Sequence, residues 1–234
     1  MKTDLTSAQL EQLRELTTCV IASAIETFRV RLPNTGFSDS SVRCVFDEHS
    51  PIAGYAATAR IRTSSPPMEG HRYSYGRTDW WNHILSIPAP RIVVIEDLDE
   101  PAGLGAFIGE VNAKILQSLG CAALVTNGGV RDLDQVRPSG FQMFARNVSV
   151  SHAYAHILDF GGPVKVGGLI IRAGDLVHGD RNGVQTIPPE IAPQVLGMAQ
   201  KIVQRRHRLI GLCQSTDFSL DVLRKAIEEP ELQS

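Results

Sequence analysis

Apolar residues recur along this chain in distinct rhythms, and each rhythm predicts a different kind of element. Over residues 7–30, Leu10, Leu13, Leu16, Val20, Ile21 and Ile25 return at three- and four-residue steps. That spacing predicts an amphipathic helix, with Ser7 as its N-cap. Within 103–119, Ile108, Val111, Ile115 and Leu119 predict a second helical stripe, and Gly120 stands where a helix end favours a left-handed residue. A helix over 190–212 carries Val195, Met198, Ile202 and Leu209 on one side and the basic run Arg205-Arg206-His207-Arg208 at its end; a last helix is predicted over 219–229. Arg91–Asp97 and Cys121–Thr126 are apolar runs without polar alternation, as expected of parallel strands covered on both faces. Val42–Phe46, Ala53–Ile61 and Gly140–Arg146 read as further strands. Glycine pairs punctuate two hairpins, one over Val164–Val166 and Leu169–Ile171, the other over 174–184 with Asn182-Gly183 as a type I′ turn.

Residues 62–90 break the rhythm with Pro66-Pro67, Gly70, the run His71-Arg72-Tyr73-Ser74-Tyr75-Gly76-Arg77, and Trp80-Trp81. A long loop with a short helix is predicted. Aromatic and Arg side chains are enriched at interfaces, so partial burial between subunits is expected, with a lid over a substrate carboxylate as the other reading. Together the elements predict an α/β fold with a mixed sheet, a single domain over 1–234, with 62–90 as a loop insertion and 190–234 as C-terminal helices.

Charge narrows the function classes. A net charge of −2 and a pI near 6.4 provide no electrostatic footprint for nucleic acid or an anionic membrane. Cys19, Cys44, Cys121 and Cys213 form no C-x-x-C pair and lie in apolar surroundings that suit reduced, buried thiols, so a cytoplasmic protein is expected. The N-terminus runs into an acid-containing amphipathic helix, and no segment approaches eighteen apolar residues; neither an export signal nor a membrane span is expected.

Candidate chemistry concentrates between residues 103 and 134. A helix of about ten residues rises ~15 Å and a strand of four or five returns ~15 Å. Glu110 and the Arg131-Asp132 loop therefore meet at one edge of the sheet, beyond the carboxyl ends of the strands, where open α/β sheets bind ligands. Gly103-Leu104-Gly105-Ala106-Phe107-Ile108-Gly109 is a poor dinucleotide loop, because its third glycine is one residue late for G-x-G-x-x-G and Pro101 separates it from the strand. His152-Ala-Tyr-Ala-His156 would place two histidines on one helical face but lacks the Glu of a metalloprotease motif, so structural or supporting histidines are expected. His178 and Asp180, in the second hairpin, are further candidates.

Twenty residues separate Glu110 from Arg131-Asp132, Gly109 precedes the acid, and Asn127-Gly128-Gly129-Val130 leads into the pair. From about Ala53 to Pro188 the chain resembles the 4-hydroxy-4-methyl-2-oxoglutarate aldolase family, which shares its fold with the regulator of ribonuclease activity A. The resemblance implies a swivelling-type β/β/α (RraA-like) fold, a ring-shaped homotrimer or dimer of trimers, and sites between subunits. It further implies a class II pyruvate aldolase with oxaloacetate decarboxylase activity, acting on a small 2-oxo acid. Mg2+ or Mn2+ would be held directly by Asp132 and through water by Glu110. Arg131 and the backbone of Gly109, Glu110, Val111 and Asn112 would hold the substrate. The aldolases commonly have Asp at the Glu110 position, an apolar residue at Asn112 and an acid at Gln135, where this chain offers Asp134 beside it. The ribonuclease-regulating relatives, a non-catalytic alternative, carry Gly at the Glu110 position, so the acid favours the enzymatic branch.

Overall fold

The computed structural model describes residues 5–67 and 77–228. Thr6 opens α1 (Ser7–Arg14) with a capping box, its hydroxyl accepting from the Gln9 N–H while the Gln9 side chain accepts from the Thr6 N–H. Thr17 caps α2 (Thr18–Thr27) by accepting from the Val20 N–H. The helix expected over 7–30 is therefore two helices, and the cap is Thr6, not Ser7. The Thr17 hydroxyl offers the backbone an alternative to continued helix and restarts it, yet Leu10, Leu13, Val20, Ile21 and Ile25 remain buried.

The chain continues through β1 (Arg43–Cys44), β2 (Ile52–Arg62), α3 (Arg77–Ser86) and β3 (Arg91–Asp97). Next come β4 (Ala106–Ile108), α4 (Glu110–Ser118), β5 (Cys121–Thr126), β6 (Gly129–Val130) and the short α5 (Leu133–Val136). Strands β7 (Gln142–Ala145), β8 (Asn147–Val148), β9 (His156–Phe160), β10 (Val164–Val166) and β11 (Leu169–Ile171) follow. β12 (Leu176–Asp180), β13 (Gly183–Ile187), α6 (Ala192–Gln214) and α7 (Leu220–Glu228) complete it.

The main sheet has the order β1-β7-β5-β3-β2-β12-β13, with β9 also pairing β2. Its centre, β7-β5-β3-β2, is parallel and its flanks are antiparallel, which is the expected mixed sheet. Alternation within β3 sorts the core: Val93 and Ile95 face the helices, whereas Ile92 and Val94 pack beneath the β10-β11 hairpin through Val164, Val166 and Ile171. A second, three-stranded sheet, β4-β6-β8, is wholly parallel.

Several expectations change. Ile108 belongs to β4, and α4 buries Ala113 and Leu116 while Val111 is 71 % exposed, so the helical stripe is rotated from the predicted one. The helix does end as expected, at Gly120 with φ +74. The stretch Ser151–Leu158 is not helical; its second half is β9. In the β12-β13 hairpin Asp180 pairs with Gly183, so the loop residues are Arg181-Asn182, and because neither has a positive φ the turn is not type I′. Trp80 is buried within this one chain, stacked with His83 and tilted against Phe160, instead of standing free for a subunit contact; residues 68–76 of that segment lie outside the described residues. All four cysteines are free, but only Cys121 is buried, its thiol pushed up to about 12 by desolvation; Cys19 and Cys213 are exposed. No helix among the described residues is long and apolar enough to cross a membrane.

Candidate active site

The small parallel sheet builds the site. β4 runs into Gly109 and the start of α4, β6 into Arg131-Asp132, and β8 into the loop carrying His152. Three carboxyl ends of adjacent parallel strands thus deliver three pieces of one cleft, the arrangement by which parallel sheets place ligand sites.

Asp132 adopts the left-handed conformation, φ 58 and ψ 43, and its backbone carbonyl caps α5 by accepting from Gln135 and Val136. Its side chain makes no cap and turns to its neighbours instead. Oδ2 accepts the Glu110 N–H at 3.1 Å, and Arg131 Nε donates to Oδ1 at 3.1 Å and Oδ2 at 3.2 Å. Partial burial would raise the Asp132 pKa, but the Glu110 N–H, the Arg131 guanidinium and the nearby His152 outweigh it and hold the carboxyl below its ordinary value. The group is ionised at neutral pH. Because Asp132 occupies Nε, the terminal nitrogens of Arg131 keep their fork; no hydrogen bond engages them among the described residues.

Gly109 is required by close approach: a Cβ there would meet the Asp132 carboxylate and stand 2.9 Å from Arg131 Cγ. Asn112 donates from Nδ2 to the Phe107 carbonyl at 2.8 Å, tying β4 to the first turn of α4; this accounts for a polar residue where the resemblance implied an apolar one.

The cleft has a volume of about 420 Å³. Arg131, Asp132, Gly109, Val111, Asn112 and His152 meet there, and Trp80, Trp81, Phe107 and Ile157 form apolar walls. Glu110 joins through its backbone only. Its exposed side chain lines the neighbouring groove with Lys114 and Gln135, so the expected convergence of three charged side chains reduces to Arg131 and Asp132.

His156 is separated from His152 by the loss of the helix, its Nδ1 lying 2.6 Å from the Tyr154 carbonyl. His178 and Asp180 are structural. His178 is buried, with Nε2 3.0 Å from the Leu13 carbonyl, and Asp180 accepts from the Thr18 N–H and hydroxyl, fixing the start of α2. Sequence alone reads Trp80 and Trp81 as a subunit contact or a substrate lid and His152 as a supporting histidine; it does not connect Phe107 and Ile157, in β4 and β9, with the site, because neither strand shows a pattern long enough to place it there.

A hard divalent cation would find in this cleft, among the described residues, a single carboxylate, that of Asp132. Among the described residues no group of three or more His, Cys, Asp or Glu side chains could hold a metal. What the cleft does offer is one ionised carboxylate beside a cation, which suits an ion that keeps most of its water.

Residues 18–185 match the family described as RraA-like, Aldolase/RraA, and the chain belongs to that family. It is 32 % identical over 97 residues to a protein of Halalkalibacterium halodurans named "Putative 4-hydroxy-4-methyl-2-oxoglutarate aldolase", a match covering 41 % of this chain and 46 %, under half, of that relative. An uncharacterized protein of Methanocaldococcus jannaschii is 26 % identical over 176 residues, 73 % of this chain and 76 % of its own. Among solved structures, an uncharacterized protein from Pseudomonas syringae superposes with TM-score 0.74 at 18 % identity, covering 97 % of this chain and 96 % of that one. Streptomyces coelicolor RraAS2, described as an unusual member of the RNase ES inhibitor RraA protein family, superposes with TM-score 0.69 at 18 % identity, covering 88 % and 96 %. These likenesses show the fold, and the family contains both aldolases and non-catalytic ribonuclease inhibitors.

Proposed function

We propose that the cleft binds a small 2-oxo acid beside a divalent cation and cleaves a 4-hydroxy-2-oxo acid, such as 4-hydroxy-4-methyl-2-oxoglutarate, to pyruvate. Oxaloacetate decarboxylation would accompany it. The observation carrying this reading is Arg131 held at Nε by an ionised Asp132, which is itself held by the Glu110 N–H, inside a cleft of small-molecule size. The similarity to the Halalkalibacterium protein supports it.

Asp132 would hold Mg2+ or Mn2+; Glu110, whose side chain lies in the neighbouring groove, would act there only through the N–H it donates to Asp132. When bound, the cation would supply Lewis-acid polarisation of the keto oxygen. Arg131 presents its terminal fork to the substrate's carboxylate and keto oxygens, and the Asp132 contact fixes the plane of that fork. Bond cleavage drives an electron pair toward the keto oxygen, so the Arg131 charge stabilises the enolate more than the ketone, and this difference lowers the barrier. The start of α4 adds its dipole to the same anion through Val111 and Asn112. Apolar walls of Trp81, Phe107 and Ile157 lower the local dielectric and strengthen each of these interactions. The expected homotrimer or dimer of trimers would complete the cleft at a subunit boundary, and light scattering reports it.

The test is pyruvate release from oxaloacetate and from 4-hydroxy-4-methyl-2-oxoglutarate, with Mg2+ or Mn2+ and after chelation. Metal-dependent release from both supports the reading. No release from either, together with retained binding to a ribonuclease, supports the non-catalytic alternative.

A further inference from the structure

Aldol cleavage needs a group that takes a proton from the substrate's 4-hydroxyl, and the charged side chains already placed in the cleft do not serve. Asp132 accepts from Arg131 and the Glu110 N–H and is the carboxylate proposed to hold the cation, and the Glu110 carboxylate lines another groove. Of the described histidines, only His152 lines the cleft. Its Nδ1 lies 2.8 Å from the Ala106 carbonyl oxygen, which can only accept, so Nδ1 carries a proton. In the neutral ring Nε2 is then a bare lone pair, and no hydrogen bond engages it among the described residues.

The loop that carries this ring is tied down at every turn. Ser151 accepts the Ala106 N–H through its carbonyl at 2.9 Å and the Ala153 N–H through its hydroxyl at 3.0 Å. Tyr154 donates to the Thr63 carbonyl and Ala155 to the His152 carbonyl, each at 3.0 Å. Ala153 sits at φ 49, a conformation that L residues other than Asn and Asp rarely adopt and that persists only where the surroundings impose it. Gly105 has no Cβ because the His152 backbone occupies that place. A base oriented through its second nitrogen by a fixed acceptor is the arrangement that general-base catalysis needs.

Resting on the function proposed above, we propose that His152 Nε2 is the proton-transfer group of aldol cleavage. Nε2 takes the 4-hydroxyl proton as that oxygen forms a carbonyl and the C3–C4 bond breaks. The bonding pair passes into the pyruvate enolate, which takes a proton at C3 from solvent water while the imidazolium gives its proton back to solvent, giving pyruvate and the second carbonyl product. Oxaloacetate presents no such hydroxyl, since its C3–C4 bond breaks to release carbon dioxide from an ionised carboxylate. His152 therefore separates the two reactions of one site.

The experiment compares wild type, H152N and H152Q on both substrates at saturating Mg2+, with Mg2+ affinity measured by calorimetry on the same preparations. Asn places an amide N–H where Nδ1 was, so H152N keeps the Ala106 anchor and lacks Nε2. The expected result is aldol cleavage lower by about 100-fold or more, decarboxylation within about 3-fold of wild type, and unchanged Mg2+ affinity. Parallel loss of both reactions, loss of neither, or weakened Mg2+ binding in H152N overturns the role of His152 while leaving the proposed function standing. A wild type inactive on both acids overturns the proposed function and this role with it.

Discussion

Replacing Gly109 with Ala tests whether the Arg131-Asp132 pair needs its present position. The backbone there has φ −138 and ψ −163, extended values open to any residue, so the substitution adds one carbon without backbone strain. That carbon would lie 2.9 Å from Arg131 Cγ and 3.3 Å from Asp132 Cγ, and would overlap the carboxylate oxygen that accepts the Glu110 N–H. Carbon contacts rest at about 3.5–4.0 Å, so the arginine stem must retreat by roughly 0.6–1 Å. Overpacking of this kind costs about 1–3 kcal/mol, which lowers the melting temperature of a chain of this size by about 2–12 °C. A displacement near 1 Å of a positioning group costs about 100-fold in rate. The assay is kcat for pyruvate release from oxaloacetate at saturating Mg2+, paired with thermal melting. Full activity with an unchanged melting temperature would refute the close approach and the positional role of the pair.

Other consequences follow from the same geometry. Arg131→Lys keeps the charge but loses the planar fork, so kcat should drop by one to two decades, as ~2 kcal/mol implies; a less stable yet fully active variant would make the pair purely structural. Asp180→Asn removes the charge that accepts both the Thr18 N–H and hydroxyl in a buried setting, and should cost about 2–3 kcal/mol at pH 7. Burial pushes the Asp180 carboxyl up, but its bonds from Thr18 and Asn182 prevail and hold it below the ordinary aspartate value. A depressed carboxyl stabilises the fold above its unfolded pKa and loses that contribution as pH falls through the folded value. The wild-type advantage in denaturant titrations should accordingly be full at pH 7 and shrink as the pH drops below about 4; a gap constant from pH 7 to pH 3 would contradict this.

The long regular elements were legible in the sequence because their patterns extend over many residues. β3, β5, α6 and the end of α4 at Gly120 stand where the apolar runs and the glycine place them. The meeting of Arg131-Asp132 with the start of α4 was legible through spacing, since a strand's length between helix and loop determines which ends meet. The sheet that holds the site was not. β4, β6 and β8 have two or three residues each, too few to show alternation, and they exist because they pair with one another across distant parts of the chain. That omission displaced the neighbouring readings. With β4 taken as helix, Ile108 and Val111 entered a stripe that α4 does not bury, and the Glu110 side chain was set facing the cleft when only its N–H does. With the stretch Ser151–Leu158 read as helix, His152 was paired with His156 by periodicity, whereas the β4 carbonyl of Ala106 is what orients it. Thr17 shows a local version of the same limit: an apolar stripe of period 3.6 passes through it unbroken, although one helix has ended at Arg14 and its hydroxyl caps the start of the next.

The central claim is that Asp132 and Arg131 together hold a cation and a 2-oxo acid anion in one cleft. Oxalate resembles the pyruvate enolate in placing two adjacent oxygens on a planar frame, and it needs no turnover to report. Calorimetric titration of oxalate into wild type and Asp132→Asn, each with Mg2+ and with chelator, measures that joint site directly. The account predicts binding to wild type that requires Mg2+ and is weakened by at least an order of magnitude in the variant, where about 1.4 kcal/mol corresponds to each tenfold change. Oxalate binding that is equally tight after chelation, or equally tight in Asp132→Asn, would contradict it.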